Sequence, residues 1–436
     1  MQVTQTLLLQ LAVIVAAVQL CGLAGQRLGL PRVLGELVAG LLLGPSLLGR
    51  LAPALEHWLF PSSSLPVLQT LGDLGLLLYL FALGTQLDVE LAWRQSGRAL
   101  VVSLVSTLLP FGGGVVLALL LWPDLAGSQA TLPTFGLLLG TALAVTAFPV
   151  LARLLSERGL QRTSLGMAAL LCAAIDDVLA WCLLALTLTL RHADGSPWTV
   201  ALTVGLTVLL TLVAFFLLRP ALAWLEERRV RPALLTALSL VLLLLCASFT
   251  GAIGIHPLFG AFVLGLCLPR RPAFLRMPPA LQEINSLLLL PLYFVYSGLH
   301  TQLDLLSEGR LWLLAALLLA VACAGKLVGG TLSALWVGLT PSWRAALALG
   351  VLLNARGLVE LIILNVGLEA GLLSPQLFTM GVLMALATTL MACWLLPLTG
   401  QSRQLQTALV KEQTAPAAWA SQSRTASPLE GDGPGC

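Results

Sequence analysis

Charged residues are scarce in this chain: Asp, Glu, Lys and Arg make up 10% of its 436 residues, against 58% hydrophobic residues. Soluble domains carry about 25% charged residues, so the composition excludes a soluble globular domain and predicts a polytopic membrane protein. Lysine is nearly absent, occurring only as Lys326 and Lys411. The small net charge of +3 gives no reason to expect nucleic acid as a partner.

The usual motifs of catalysis are missing as well. The sequence has no phosphate-binding glycine loop and no kinase or P-type ATPase signature. Its eight cysteines and four histidines show no metal-ligand spacing. We therefore expect neither an enzyme nor a cofactor, zinc site or disulfide. Residues 1–20 contain no Lys or Arg before their apolar run, which favours a first membrane helix over a cleaved signal peptide.

Apolar runs bounded by Pro, Gly and charge predict an all-α membrane fold of about thirteen transmembrane helices. These spans are 5–24, 31–49, 65–87, 97–121, 131–155, 163–189, 197–218, 231–250, 254–269, 284–303, 310–338, 342–370 and 374–397. Residues 1–397 therefore form one transmembrane domain. The polar tail 398–436 is rich in Ser, Pro, Gly and Gln, and we expect it to be disordered and cytoplasmic.

The distribution of arginine predicts the orientation. Arginines concentrate in the connections after odd-numbered spans, whereas the connections after even-numbered spans carry only Arg50, Arg191 and Arg310. Arginine-rich connections stay in the cytoplasm. Thirteen crossings then place the N-terminus outside and the C-terminus inside.

The two halves of the chain resemble each other. Thr-Gln-Leu-Asp ends the third span at 85–88 and the tenth span at 301–304. The matching spans lie an odd number of helices apart, so the repeats are expected to be inverted, as in secondary transporters. Chance similarity between leucine-rich segments is the alternative. The predicted units are repeat one at about 5–189, a linker helix at about 197–218 and repeat two at about 231–397.

Two matching spans, the fifth and the twelfth, are interrupted near their middles. Span five contains Thr146-Ala147-Phe148-Pro149, where the proline removes a backbone donor and disfavours helix at Phe148. Span twelve contains Asn354-Ala355-Arg356-Gly357. Unwound backbone at membrane depth must line a cavity or be buried in protein. Paired breaks in corresponding spans therefore indicate a transport site, although a plain proline kink would explain span five alone.

Asp176 and Asp177 lie in the middle of span six. A carboxylate near the bilayer centre costs about 2.5–3.5 kcal/mol on insertion scales. Successive helical residues point about 100° apart, so one aspartate can face an ion site while the other faces a partner helix. The alternative is a misplaced helix end that leaves both aspartates among the lipid headgroups.

The other deep charges have predicted partners. Lys326, midway along span eleven, needs an internal partner, and we assign it Asp176. Arg356 and Glu360 are spaced i,i+4 and are expected to pair as a structural bridge beside the break. Two more isolated acids, Asp73 and Glu36, are interpreted as structural or gating residues rather than ligands.

This cluster suits exchange of a small cation for a proton. A hard monovalent cation such as Na+ or K+ prefers oxygen ligands, which Asp177, Thr146 and the freed carbonyls can supply. A proton and a cation would then exclude each other at Asp177. The alternative is a sodium-coupled symporter or cation channel of similar inverted-repeat architecture. A membrane sensor with a vestigial site is a third possibility.

Three segments resemble the monovalent cation–proton antiporters, in particular the branch of plant cation/H+ exchangers and bacterial potassium-efflux antiporters. They are 140–160 (GTALAVTAFPVLARLLSERGL), 173–181 (AAIDDVLAW) and 354–367 (NARGLVELIILNVG). The resemblance implies a Na+/H+ exchanger-like fold in which a core domain moves against a dimerisation domain in an elevator-like cycle, usually in a homodimer. It also implies a role in pH homeostasis.

The resemblance also implies roles for individual residues. Asp177 corresponds to the carboxylate that binds ion and proton, and Asp176 to a position that the family fills with Asp or Asn. Lys326 corresponds to the salt-bridge lysine, and the breaks at Thr146 and Asn354 to the helix crossover. The double acid with a lysine is similar to electrogenic members, which implies two protons per cation. The choice between sodium and potassium stays open. Low lysine with high Arg, Ala and Leu favours a GC-rich bacterial source, and the expected location is a bacterial inner membrane.

Overall fold

The computed structural model describes residues 2–27, 32–86, 97–160, 163–192, 197–228, 230–253, 256–268 and 279–399. Leu87 and Asp88 of the first Thr-Gln-Leu-Asp motif, several loop arginines and nearly all of the polar tail lie outside these ranges. Among the described residues, the only β pairing is a single bridge between Ala126 and Leu373. The predicted all-α fold class is confirmed.

In the described part of the first half, nine helices receive labels, and two short helices, Leu48–Leu51 and Pro53–Leu59, are left unlabelled. The labelled helices are α1 (Gln2–Arg27), α2 (Arg32–Leu43), α3 (Leu65–Gln86), α4 (Gly97–Leu121), α5 (Leu132–Ala144), α6 (Phe148–Glu157), α7 (Ser164–His192), α8 (Pro197–Val213) and α9 (Arg219–Glu227). A π-helical turn at Ala214–Leu218 joins the last two.

Among the described residues of the second half there are eight more helices. They are α10 (Pro232–Ala252), α11 (Pro257–Cys267), α12 (Pro279–Ile284), α13 (Leu290–Leu299), α14 (Gly309–Trp336), α15 (Trp343–Leu353), α16 (Leu358–Glu369) and α17 (Pro375–Leu395). A second π-helical turn, Asn285–Leu289, joins α12 to α13. Single-turn 3-10 helices lie at Leu303–Leu306 and Leu396–Thr399.

A helix occupies each of the thirteen predicted spans, with some boundaries displaced. The span predicted at 31–49 is continuous helix only to Leu43, because Pro45 disfavours helical geometry at the residue before it. The span predicted at 284–303 begins earlier, at Pro279, and ends at Leu299. Within the described residues, eleven helical segments are long and apolar enough to cross a membrane, and Pro257–Cys267 is a shorter apolar helix. The count of thirteen crossings stays a prediction.

The helices pack into two bodies. We call α1–α3 and α10–α13 the scaffold body, because these helices contact mainly one another. We call α4–α7 and α14–α17 the core body for the same reason, and α8–α9 connects the two. Each body is tightly packed: a Cβ on Gly40 would lie 2.8 Å from the Val295 backbone within the scaffold body, and one on Gly114 would lie 2.7 Å from Gly140 within the core body.

Candidate functional site

Two interrupted helices meet in the middle of the core body. The first breaks between Ala144, where α5 ends, and Phe148, where α6 begins. The second breaks between Leu353, the end of α15, and Leu358, the start of α16. Both breaks lie where the sequence predicts them, and the unwound residues of both breaks are buried.

The two unwound segments are hydrogen-bonded to each other. The backbone N–H of Ala147 donates to the carbonyl of Ala355 at 3.0 Å. The hydroxyl of Thr146 donates to the carbonyl of Leu353 at 2.7 Å. Leu353 is the last residue of α15, so this bond satisfies one of the carbonyls that a helix end leaves free. The lone pairs of the Thr146 oxygen remain available to accept or to bind a cation.

Proline and glycine have different roles in the two breaks. Pro149 lies in the first turn of α6, where its missing N–H removes no intrahelical bond. It therefore starts the second half-helix rather than kinking a continuous one. Gly357 precedes α16 with a φ of 151°, a backbone conformation that residues with a Cβ rarely adopt. A Cβ at this position would also lie 2.8 Å from the Val150 side chain. Glycine is thus required at the second break.

Arg356 caps the first broken helix. Its guanidinium donates to the carbonyl of Ala142 at 2.9 Å and to that of Leu143, both in the last turn of α5, and a third contact reaches Ala322 on α14 at 3.5 Å. A helix C-terminus carries about half a negative charge, so this buried cation compensates the end of α5.

The predicted pairing of Arg356 with Glu360 is loose. Nη1 of Arg356 lies 3.7 Å from Oε1 of Glu360, which is within ion-pair range, but neither carboxylate oxygen of Glu360 has a hydrogen-bond partner among the described residues. The guanidinium is directed instead at backbone carbonyls. Glu360 lies in the first turn of α16, where the helix dipole favours an acid. The main contacts of Arg356 are therefore to the crossover backbone.

Asp176 is fully satisfied by its neighbours. Its Oδ2 accepts from Nζ of Lys326 at 2.7 Å, and both side chains are completely buried. Its Oδ1 accepts from the hydroxyls of Ser103 and of Thr107, the latter at 2.9 Å. The Asp176–Lys326 contact is the one expected from the sequence, and it joins α7 to α14.

Asp177 lies in the opposite situation. It is fully buried, yet neither of its carboxylate oxygens has a hydrogen-bond partner at normal geometry within the described part of the chain. The backbone N–H of Phe148, at the start of α6, is directed at the carboxylate as a donor outside normal hydrogen-bond geometry, and the charges of Asp176 and Lys326 also act on it. Asp177 therefore faces the first helix break, and no described side chain is hydrogen-bonded to its oxygens.

Sequence reasoning missed the polar lining on α4. Ser103 and Thr107 are buried and lie one helical turn apart, so they present two hydroxyls to the same neighbour. A polar pair at i,i+4 in an apolar span was the available signal. Thr389 on α17 was also missed: its hydroxyl accepts from the backbone N–H of Arg356 at 3.1 Å and contacts the Arg356 carbonyl at 2.6 Å.

The chain is similar to known transport proteins over most of its length. A family model described as "Sodium/hydrogen exchanger, transmembrane" matches residues 12–399. The Na(+)/H(+) antiporter NhaS4 of Synechocystis is 39% identical over 396 residues, which are 89% of this chain and 96% of that protein.

Two eukaryotic relatives are longer. The K(+)/H(+) antiporter 1 of Saccharomyces cerevisiae is 36% identical over 371 residues, covering 82% of this chain and 42% of the yeast protein. The Cation/H(+) antiporter 18 of Arabidopsis thaliana is 39% identical over 394 residues, covering 88% and 47%. The chain thus spans less than half the length of these two relatives.

The fold also matches a solved structure. The sodium proton antiporter MjNhaP1 of Methanocaldococcus jannaschii, determined at pH 8, aligns with a TM-score of 0.62 over 92% of this chain and 99% of that one. At 16% sequence identity, this likeness concerns the fold alone.

Proposed function

Because the chain belongs to the sodium/hydrogen exchanger family, we propose that it is a secondary antiporter that exchanges Na+ or K+ for H+ across a membrane. The observation that carries the proposal is the buried carboxylate of Asp177, which accepts no side-chain hydrogen bond among the described residues and faces the break between α5 and α6. Relatives named as Na+/H+ and K+/H+ antiporters support the same activity.

Competition at Asp177 couples the two ions. A buried carboxylate with no side-chain partner is costly as a free anion, and a bound proton or cation removes that cost. Both occupants use the same oxygens, so binding of one requires release of the other. Thr146 and the carbonyls freed at the break supply further oxygens for a hard cation. The chain's own relatives include both sodium and potassium exchangers, so selectivity between the two is left to experiment.

The Asp176–Lys326 pair holds the site in place and affects its charge. The pair is completely buried and hydrogen-bonded, so it fixes α7 against α4 and α14. If one partner of the pair gains or loses a proton during the cycle, two protons move per monovalent cation and transport is electrogenic. Each net charge then gains about 2.3 kcal/mol per 100 mV of membrane potential.

The division into two bodies supports a proposal for alternating access. The core body carries Asp177 and both helix breaks, whereas the scaffold body carries neither. We propose that the core body moves against the scaffold body in an elevator-like step that exposes Asp177 to each side in turn. The scaffold body would form the interface of a homodimer. The protein would lie in a bacterial inner membrane with its N-terminus outside and its C-terminus in the cytoplasm, and would serve pH homeostasis.

Everted membrane vesicles test this function. Respiration builds a pH gradient across the vesicle membrane, and addition of Na+ or K+ should dissipate it in vesicles that contain the protein. Asp177→Asn should abolish the response, whereas Asp124→Asn, an exposed acid on the surface of the core body, should preserve it. A normal response in Asp177→Asn would refute the assignment. Cation flux that is independent of the pH gradient would instead indicate a channel.

A further inference from the structure

The scaffold and core bodies are joined by side-chain hydrogen bonds near the C-terminal end of α16. We call this part of the molecule the Glu369 end. The bonds link α3 and α13 of the scaffold body to α16 of the core body, and they form two layers at different depths.

The outer layer is partly exposed to solvent. Nε2 of Gln69, on α3, donates to Oε1 of Glu369, the last residue of α16, at 2.7 Å. The hydroxyl of Tyr296, on α13, donates to Oε1 of Gln69 at 3.0 Å. Asp73, one turn further along α3, interacts electrostatically with Glu369. Gln69 therefore holds an acidic residue of the core body close to an acidic residue of the scaffold body, an arrangement that repulsion would otherwise oppose.

The inner layer is buried. Nδ2 of Asn365 lies 3.0 Å from the hydroxyl of Tyr293 and 3.0 Å from that of Ser297, both on α13. The same nitrogen lies 2.9 Å from the carbonyl of Leu361 in its own helix. Asn365 and Tyr293 are 4% exposed and Ser297 is fully buried. An amide with two N–H groups thus serves three acceptors, two of which belong to the other body.

The position of these layers suits a barrier between solvent and the ion site. Asn365 follows the break at Gly357 by eight residues, and Glu369 by twelve. A helix rises 1.5 Å per residue, so the layers lie roughly 12 and 18 Å along α16 from the crossover. Any path that reaches Asp177 from the Glu369 end between the two bodies must separate α16 from α13 and α3.

We propose that these two layers form a gate, which closes the route to Asp177 from the Glu369 end and must break each time the core body exposes the site there. The proposal rests on the proposed antiport function, because a gate matters only if the bodies move. Asn365, Tyr293 and Ser297 form the water-excluding inner barrier. Gln69, Glu369 and Tyr296 form the outer layer of the gate, which holds α3, α13 and α16 together where the route meets solvent.

Cross-linking across the gate tests the proposal. In a parent whose eight cysteines are replaced by serine or alanine, Gln69→Cys and Glu369→Cys are introduced together. A short bifunctional methanethiosulfonate reagent then joins the two thiols, and loss of free thiol confirms the reaction. Because the linked bodies cannot separate, exchange in proteoliposomes should fall at least tenfold and recover when dithiothreitol cleaves the link.

A matched pair within one body is the control. Asp124 and Arg310 both belong to the core body and form an exposed ion pair at 3.0 Å. Linking Asp124→Cys to Arg310→Cys with the same reagent should leave exchange within twofold of the parent. Full exchange by the linked Gln69/Glu369 variant would overturn the gate. Absence of exchange in the unlinked parent would instead count against the antiport function.

A labelling experiment tests the inner layer without measuring transport. A single Ser297→Cys in the cysteine-free parent places a thiol in the buried layer, where a bulky water-soluble maleimide reaches it only when the gate opens. Tyr293→Phe keeps the ring but removes the hydroxyl that accepts from Asn365. It should therefore raise the labelling rate of purified protein severalfold. An unchanged rate would contradict the role of this layer.

Discussion

The two sides of α7 have opposite polar environments. On the Asp176 side, an ammonium group and two hydroxyls satisfy the carboxylate completely. On the Asp177 side, the carboxylate is equally buried, but no side chain among the described residues donates a hydrogen bond to it. A buried polar group without a partner costs free energy. Under the proposed function, Asp176 fixes the structure while Asp177 binds the exchangeable ligand.

The largest expected effect separates activity from stability at Asp177. Asp177→Asn should abolish cation–proton exchange, because the neutral amide binds neither ion. It should leave the unfolding temperature in detergent unchanged or slightly raised, because it removes a buried charge that has no partner. A fluorescence unfolding assay run beside the transport assay measures both. A large loss of stability would mean that Asp177 is structural, and the contrast with Asp176 would fail.

The Asp176 side should show the reverse pattern. Lys326→Met leaves the buried Asp176 charge without its partner, and breaking a buried pair costs about 3–5 kcal/mol. The double variant Lys326→Met/Asp176→Leu should recover much of that loss, because neither charge remains. A double-mutant cycle from equilibrium unfolding in mixed micelles measures the coupling. Additive effects of the two substitutions would show that the pair is not a unit.

Thr146 should affect cation affinity more than folding. Thr146→Ala removes the hydroxyl that donates to Leu353 and an oxygen available to the cation. Loss of one such bond costs about 1 kcal/mol of stability, and we expect a severalfold rise in the apparent KM for Na+ or K+. Thr146→Ser keeps the hydroxyl and is the matched control. Equal KM values for the alanine and serine variants would exclude Thr146 as a ligand.

The smallest effect on transport concerns the hydroxyls that face Asp176. Ser103→Ala or Thr107→Val should each lower the free energy of unfolding by about 1.5–3 kcal/mol, since each hydroxyl bonds a charged group. The apparent KM for the cation should not change. Ser106→Ala is the control, because Ser106 donates to the Ser103 carbonyl rather than to Asp176. A selective rise in KM for the Thr107 variant would place the cation on the Asp176 side.

Much of this arrangement could be predicted because local patterns determine it. Apolar runs bounded by Pro and Gly predicted the helices, and the breaks at Thr146 and Asn354 follow from residues that disfavour helix at those points. The contact between Lys326 and Asp176 was predictable because only one deep lysine needed an acidic partner. In each of these cases the residues themselves carry the energetic requirement: burial of apolar side chains, interruption of a helix, or pairing of a deep charge.

Other contacts could not be predicted, because they depend on how distant helices pack. The sequence favours pairing of Arg356 with Glu360, but the end of α5 attracts the guanidinium more directly. Likewise, Ser103 meets Asp176 across 73 residues, and Asn365 meets Tyr293 across 72. Side-chain periodicity indicates which face of a helix is polar, but it does not identify the helix that this face contacts.

Proton release on cation binding tests the central claim most directly. Na+ or K+ is added to purified protein in weakly buffered detergent solution, and a pH indicator reports the protons released. The starting pH is just below the value at which exchange begins. If one carboxyl group holds either ion, wild-type protein should release a proton as the cation binds, Asp176→Asn should still do so, and Asp177→Asn should release none. Cation binding without proton release, or unchanged release from Asp177→Asn, would contradict competition at Asp177.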